Sequence, residues 1–373
     1  MALSDLSGRL LLGPGPSPVS PRILQAMATE TLGHLDPQFL GLLDEVNEEL
    51  RRLFGTENPT TFPVSGTGSA GMEAALVNLL EPGDTAIVGV KGVFGTRLAE
   101  MARRQGATVV TVEGDWGRPL EPQRLIEAHR KHPDARLLAL VHAETSTGVR
   151  QPLEEVGRAL QESGTLFVVD AVTSLAGMPV EVDRVGVDVC YAGTQKCLGV
   201  PPGLAPITFS SRAMDRIRSR QRPVSSWYLD VNLIAGYLGS ERRYHHTAPI
   251  NLIYALYEAL AEIREEGLEA RFRRHREVGR RLQHELEERG FKPFANPPDA
   301  RLPQLTAVSL PGGGDEGVAR RRLLEEKGIE VGGGLGPARG RIWRIGLMGH
   351  GARHQVVDRL LEAVDEVLPE DSN

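Results

Sequence analysis

Apolar positions recur along this chain in two rhythms, and the switch between them divides it into regions. Between residues 38 and 54, Leu40, Leu43, Val46, Leu50 and Leu53 fall at helical spacing, which predicts a helix. A shorter helix is expected from about Pro21, with proline well placed in its first turn. Ahead of both, LLLGPGPSPVS over residues 10–20 is too rich in glycine and proline for a helix and reads as an extended arm. Further on, short apolar runs take over. Thr85–Val90, Ala107–Val112, Arg136–His142, Thr165–Asp170, Val187–Ala192 and Ala205–Phe209 read as strands. Helical stretches near 69–80, 94–105, 121–131 and 151–162 lie between them.

Strands that are apolar almost throughout, alternating with helices, predict an α/β fold with a mostly parallel sheet covered on both faces. Such sheets bind ligands at the carboxyl ends of their strands. Two long helices, about 250–266 and 268–289, follow. Beyond Gly290, short strands near Thr306–Leu310 and Arg341–Gly346 mix with helices near 316–327 and 353–367, which predicts a smaller α+β domain. The expected division is an arm over 1–20, a large domain over 21–255 and a small C-terminal domain over 256–373.

Composition narrows the class. At 373 residues, 40% hydrophobic and 25% charged, the chain can bury a large core and fill two ordinary domains. A net charge of −6 argues against nucleic acid as a partner, which would call for a basic stripe. The arginines from Arg271 to Arg281 are diluted by Glu277 and by Glu265, Glu266 and Glu269, and read as a solvated helix face. Two cysteines, Cys190 and Cys197, are too few for a disulfide framework and lack C-x-x-C spacing. No apolar run has the roughly 18 residues of a membrane span, and neither end carries an address, so a cytoplasmic location is expected.

Four motifs carry candidate chemistry. In Ser65-Gly66-Thr67-Gly68-Ser69-Ala70-Gly71, glycines admit close approach of an anion, and the helix that follows offers free N–H groups. Thr67 and Ser69 add hydroxyl donors to this phosphate cup. The same glycines fit G-x-G-x-x-G, so a nicotinamide-dependent oxidoreductase is an alternative. That fingerprint wants a carboxylate about 20 residues on, where this chain reads Val88-Gly89-Val90-Lys91-Gly92. The second motif, Leu166-Phe167-Val168-Val169-Asp170, ends an apolar strand on a carboxylate that can pair with a cationic ring nitrogen. The third, Ala192-Gly193-Thr194-Gln195-Lys196, places an amine after the next strand, where desolvation lowers its pKa and lets it form a Schiff base. In the fourth, Ile342-Trp343-Arg344-Ile345-Gly346, a guanidinium sits in an apolar strand, either salt-bridged or awaiting a substrate carboxylate. Cup, carboxylate and lysine together are the parts a pyridoxal-phosphate site needs. Histidines suggest no metal. His142-Ala143-Glu144 lacks the matching P-C-x-x-C, and His245-His246 lack the i,i+4 spacing of a helical zinc site.

With these residues in view, the chain resembles the class V pyridoxal-phosphate-dependent aminotransferases, close to the alanine–glyoxylate and serine–pyruvate enzymes. The likeness is carried in order by LLLGPGPSPVSPRI, SGTGSAGMEAALVNLLEPGD, GVFGTR, ETSTGVRQPLEEVG, VVDAVTSLAG, GTQKCLGVPPG, YHHTAPINLIYAL and GGGLGPARGRIWRIGLMG. The resemblance implies the fold type I architecture: a large domain with a mostly parallel seven-stranded sheet, a small C-terminal domain and a homodimer with shared active sites. It implies pyridoxal 5'-phosphate as cofactor, Lys196 as Schiff-base lysine and Asp170 as partner of the pyridine nitrogen. Thr67, Gly68, Ser69 and Gln195 would hold the phosphate, Phe94 would stack on the ring, Thr145 would meet its phenolic side, and Val172 would pack beneath it. Tyr244 and Thr247 would reach the phosphate of the other subunit. Arg344, with the Gly15 backbone nearby, would bind the substrate carboxylate. Phe94 stands where relatives often carry Trp, and Ser69 where some carry His. A single arginine for one carboxylate points to small monocarboxylic substrates: alanine or serine as amino donor, glyoxylate or pyruvate as acceptor. Other activities of the class, cysteine desulfuration and ureidoglycine–glyoxylate transamination, are alternatives. Cys197, within Lys-Cys-Leu-Gly, reads as packed rather than mobile.

Overall fold

The computed structural model describes residues 8–239 and 241–368. Its centre is a seven-stranded sheet in the order Thr60–Ser65, Leu204–Phe209, Val189–Tyr191, Leu166–Asp170, Leu137–Val141, Thr85–Val90, Thr108–Glu113. Four neighbouring pairs are parallel, while Leu204–Phe209 runs antiparallel to both of its neighbours. The sheet is therefore mostly parallel, as the alternation of strands and helices predicted.

Both faces are dry. Phe167 and Val169 point into one apolar cluster, Leu166 and Val168 into the other, and all four are buried. Each such side chain stabilises the fold by about 1.5–3 kcal/mol relative to exposure. The helices covering the sheet begin and end by local rules. Helix Pro37–Phe54 starts with Pro37 behind an Asp36 cap, whose carboxylate accepts the Gln38 N–H at 2.8 Å. It stops at Gly55, whose φ of 67° is left-handed. Leu43, Val46, Leu50 and Leu53 form its buried face.

The strand Thr60–Ser65 was not among the expected ones, since its Pro63 is unsuited to the interior of a sheet. It lies at the sheet's edge, paired only with Leu204–Phe209, where a missing N–H is tolerated. A second, five-stranded sheet has the order Leu10–Leu12, Ile329–Gly333, Trp343–Gly346, Leu305–Ser309, Lys292–Pro293. Here too a strand went unforeseen, because Ile329–Gly333 ends in glycines. The expected arm contributes its own strand: Leu10–Leu12 pairs in parallel with Ile329–Val331. Residues 13–20 then lead from this small sheet to helix Pro21–Met27, which packs on helix Ile250–Glu266. Among the described residues no helix is long and apolar enough to cross a membrane.

Candidate active site

The carboxyl ends of the parallel strands gather the candidate residues. Asp170 closes its strand and is buried. One carboxylate oxygen accepts the Val172 N–H at 2.9 Å, and the other accepts the hydroxyl of Tyr191 at 3.1 Å. Burial pushes its pKa up to about 6, although these two donors act in the opposite direction. Tyr191 was missed in the sequence. It ends the neighbouring strand directly opposite Asp170, so strand register was the signal that could have found it.

The glycine-rich turn comes to the same edge. Helix Gly68–Leu79 starts behind Thr67 with no side chain capping its N-terminus. A β-carbon on Gly68 would lie 2.9 Å from a Val172 methyl, and one on Gly193 would lie 3.4 Å from the Gly68 Cα. The turns 66–69, 171–172 and 193–195 thus pack against one another. Gln195 points into this meeting place, and its buried Oε1 has no hydrogen-bond partner. Ser69 takes a hydrogen bond from Arg97 at 3.3 Å. The Arg97 guanidinium in turn sits 4.9 Å from the centre of the half-buried Phe94 ring.

Lys196 lies at the base, only 9% exposed. Burial first, and the positive charge of Arg344 second, lower its pKa to about 8. Residues of the arm wrap it. Its Nζ donates to the Pro14 carbonyl, and Ser17 Oγ donates to the Lys196 carbonyl at 2.6 Å. A β-carbon on Gly15 would lie 2.7–2.9 Å from the Cδ, Nζ and Cε atoms of Lys196, and Gly15 has a φ of 109°. Only glycine serves at this crossing.

Arg344 reaches in from the small sheet. It is buried, its Nε donates to the Gly333 carbonyl at 2.7 Å, and its Nη1 donates to the Thr145 carbonyl at 3.3 Å. No carboxylate is paired with it among the described residues. Thr145 is itself buried, in the turn between the short strands Ala143–Glu144 and Val149–Arg150. The adjoining Glu144, entirely buried, receives the N–H groups of Phe94 and Gly95 at 3.2 and 3.3 Å. It caps the helix Val93–Arg104 that carries Phe94. Sequence reading weighed Glu144 only as part of a metal motif. Among the described residues no group of three or more His, Cys, Asp or Glu is placed to hold a metal.

Tyr244 and Thr247 stand apart from this cluster. Both are exposed, and their hydroxyls lie 3.4 Å from each other. Their neighbour His246 is 2.9 Å from Ser65, at the root of the glycine-rich turn.

Known proteins share this layout and sequence. The family model for aminotransferase class-V matches residues 10–350. An alanine–glyoxylate aminotransferase of Callithrix jacchus is 42% identical over 96% of this chain and 87% of its own length. An (S)-ureidoglycine–glyoxylate transaminase of Bacillus subtilis is 38% identical over 96% of this chain and 90% of its own. The crystal structure of an alanine–glyoxylate aminotransferase from Nostoc sp. superposes with a TM-score of 0.96 at 50% identity, covering 99% of this chain and 97% of that one. With matches that span nearly its whole length, the chain belongs to the class V aminotransferases.

Proposed function

We propose that this protein transfers an amino group from a small amino acid, alanine or serine, to glyoxylate or pyruvate, using pyridoxal 5'-phosphate. The observation that carries the reading is the convergence of a desolvated lysine, a buried carboxylate and an uncapped helix N-terminus on one sheet edge. The residues present fit that cofactor. The free N–H groups at the start of helix Gly68–Leu79 and the glycines at 66, 68 and 193 leave donors and room where a phosphate would sit, bordered by the Gln195 side chain, whose Oε1 is unpartnered. Bound there, pyridoxal phosphate supplies an electron-accepting ring that stabilises negative charge on the amino acid's Cα.

The protein's own groups do the rest. Thr67, Gly68, Ser69 and Gln195 hold the phosphate, joined by Tyr244 and Thr247 from a second copy of the chain. Val172 and Phe94 would hold the ring by its faces, and Thr145 would meet its phenolic side. Asp170, carrying its negative charge, keeps the ring nitrogen protonated. Lys196 would hold the cofactor through its side-chain amine. Its Nζ, with a pKa near 8, would be suited to hold and move a proton at the substrate's Cα. Arg344 grips the substrate carboxylate and so orients Cα. The homodimer is supported by the exposed Trp227, Tyr228 and Tyr244, which present apolar surface beside the site. Two free buried cysteines fit a cytoplasmic location.

The Bacillus subtilis relative favours ureidoglycine as an alternative donor. Cysteine desulfuration is disfavoured. Cys197 is fully buried, its thiol sits 3.3 Å from the Thr173 carbonyl, and burial pushes its pKa up to about 12. The deciding experiment mixes purified protein with pyridoxal phosphate and follows the visible absorption. A band that shifts on adding alanine or serine is expected, with glyoxylate or pyruvate restoring it. Lys196→Ala should erase the band and lower turnover about ten-thousand-fold. A wild-type protein that stays colourless overturns the reading.

A further inference from the structure

A second lysine is buried at this site. Lys91 follows the strand Thr85–Val90 and is only 2% exposed. Its Nζ donates to the Val141 carbonyl at 2.7 Å. Val141 is paired in the sheet with Asp170, so this ammonium sits one strand away from that carboxylate. The next turn brings in Glu144, the fully buried carboxylate that caps the Phe94 helix.

A buried ammonium is expensive, and a methionine of similar length would fill the same space without that penalty. Lys91 makes no direct ion pair among the described residues. What offsets its burial is negative charge reaching it through space from Glu144 and from Asp170, which leaves its pKa at about 8 and the group mostly charged at neutral pH. The edge thus holds two buried carboxylates; beside Lys196, Arg344 and the exposed Arg97 on Ser69 and Phe94, Lys91 is its buried cation that faces neither substrate nor solvent. Two other titratable groups facing this edge add no positive charge. His142 is held neutral, its pKa pushed down to about 3 by burial, and the Tyr191 hydroxyl is held protonated by burial.

We propose that Lys91 is a positioning residue of this active site: its buried ammonium, held on the Val141 carbonyl one strand from Asp170 and beside the turn that carries Glu144, sets the electrostatic potential at the ring-binding edge. The inference rests on the proposed pyridoxal-phosphate reading. Through Asp170 the charge acts on the ring nitrogen, and through Glu144 it acts on the helix that presents Phe94. Its effect is transmitted through neighbours, and it need not touch substrate.

Removing a positive charge raises the pKa of every group that feels it. In Lys91→Met protein loaded with pyridoxal phosphate, the pH midpoint of the visible absorption should therefore rise by about one unit. Lys91→Arg, which keeps the charge, should restore the wild-type midpoint. Lys91→Gln, which keeps a donor for the Val141 carbonyl without the charge, should titrate like Lys91→Met and serves in its place if that variant does not fold. Wild-type and neutral-variant proteins that both bind the cofactor and share one midpoint overturn the proposal. So does failure of both neutral variants to fold, which would make Lys91 a residue of the core alone. A colourless wild type instead defeats the cofactor reading itself, and the two failures are told apart by that first spectrum.

Discussion

The sheet edge and the segment around Tyr244 are both assigned to one site, yet a single chain finishes them to different degrees. At the edge, Asp170, Thr145, Gln195, Lys196 and Arg344 are buried or nearly so, and their partners come from the same chain. In the segment, Trp227 is 62% exposed and Tyr244 61%. Across the gap Thr67, at the mouth of the cup, is exposed as well. The difference follows chemistry. Groups whose reactivity depends on low dielectric must be desolvated by their own fold, whereas a phosphate clamp can be completed by a second copy on docking.

The sharpest way to break this contrast is to titrate the finished half without its cofactor. In folded protein Asp170 has a pKa raised to about 6 from the usual 3.8. Between those values the native state binds more protons than the unfolded chain, so stability falls as pH rises through that window. About two units at about 1.4 kcal/mol each predict a loss of roughly 3 kcal/mol between pH 4 and pH 6. Denaturant unfolding of cofactor-free protein measures it, and Asp170→Asn should flatten the profile. An unchanged slope in that variant would mean that Asp170 is not desolvated as described.

A somewhat smaller effect is expected at the bridge between the two sheets. Arg344→Ala removes the buried guanidinium proposed to bind the substrate carboxylate, which should lower kcat/KM about a hundredfold, mainly through KM. Arg344→Lys should recover only part, because an ammonium cannot make the paired contact. Equal KM values in all three proteins would locate the substrate carboxylate elsewhere. The smallest effect belongs to the unfinished half. Tyr244→Ala should weaken pyridoxal-phosphate retention about tenfold, the scale of one hydrogen bond to a charged group. Sedimentation should find both proteins dimeric. A monomeric wild type with normal retention would remove the second copy from the site.

Much of this arrangement was legible in the chain itself. Strands such as Leu137–Val141 and Leu166–Asp170 are buried on both faces, so they read as unbroken apolar runs, and their final residues could be placed at the ligand edge. Asp170 and Lys196 could be placed at that edge because one ends such a run and the other follows one through the turn Gly193–Gln195. What escaped depended on pairing across distance. Thr60–Ser65 carries a proline that only an edge position makes acceptable. Ile329–Gly333 carries glycines, and it is a strand because Leu10–Leu12 and Trp343–Gly346 flank it. Lys91 and Glu144 look like solvated charges beside a glycine and a threonine. Their burial follows from the turn after Val90 packing on the Ala143–Val149 hairpin, a contact no local pattern announces.

The pairing of Leu10 with Ile329 joins positions 319 residues apart, 329 minus 10. During synthesis the first of these strands waits, apolar and without this partner, until Ile329–Val331 has emerged. Only then can the loop through Pro14 and Gly15 be drawn taut across Lys196. The surroundings of Lys196 are thereby completed only after Ile329–Val331 has been made, so a product ended before that strand should leave this lysine uncovered by the Pro14–Gly15 loop.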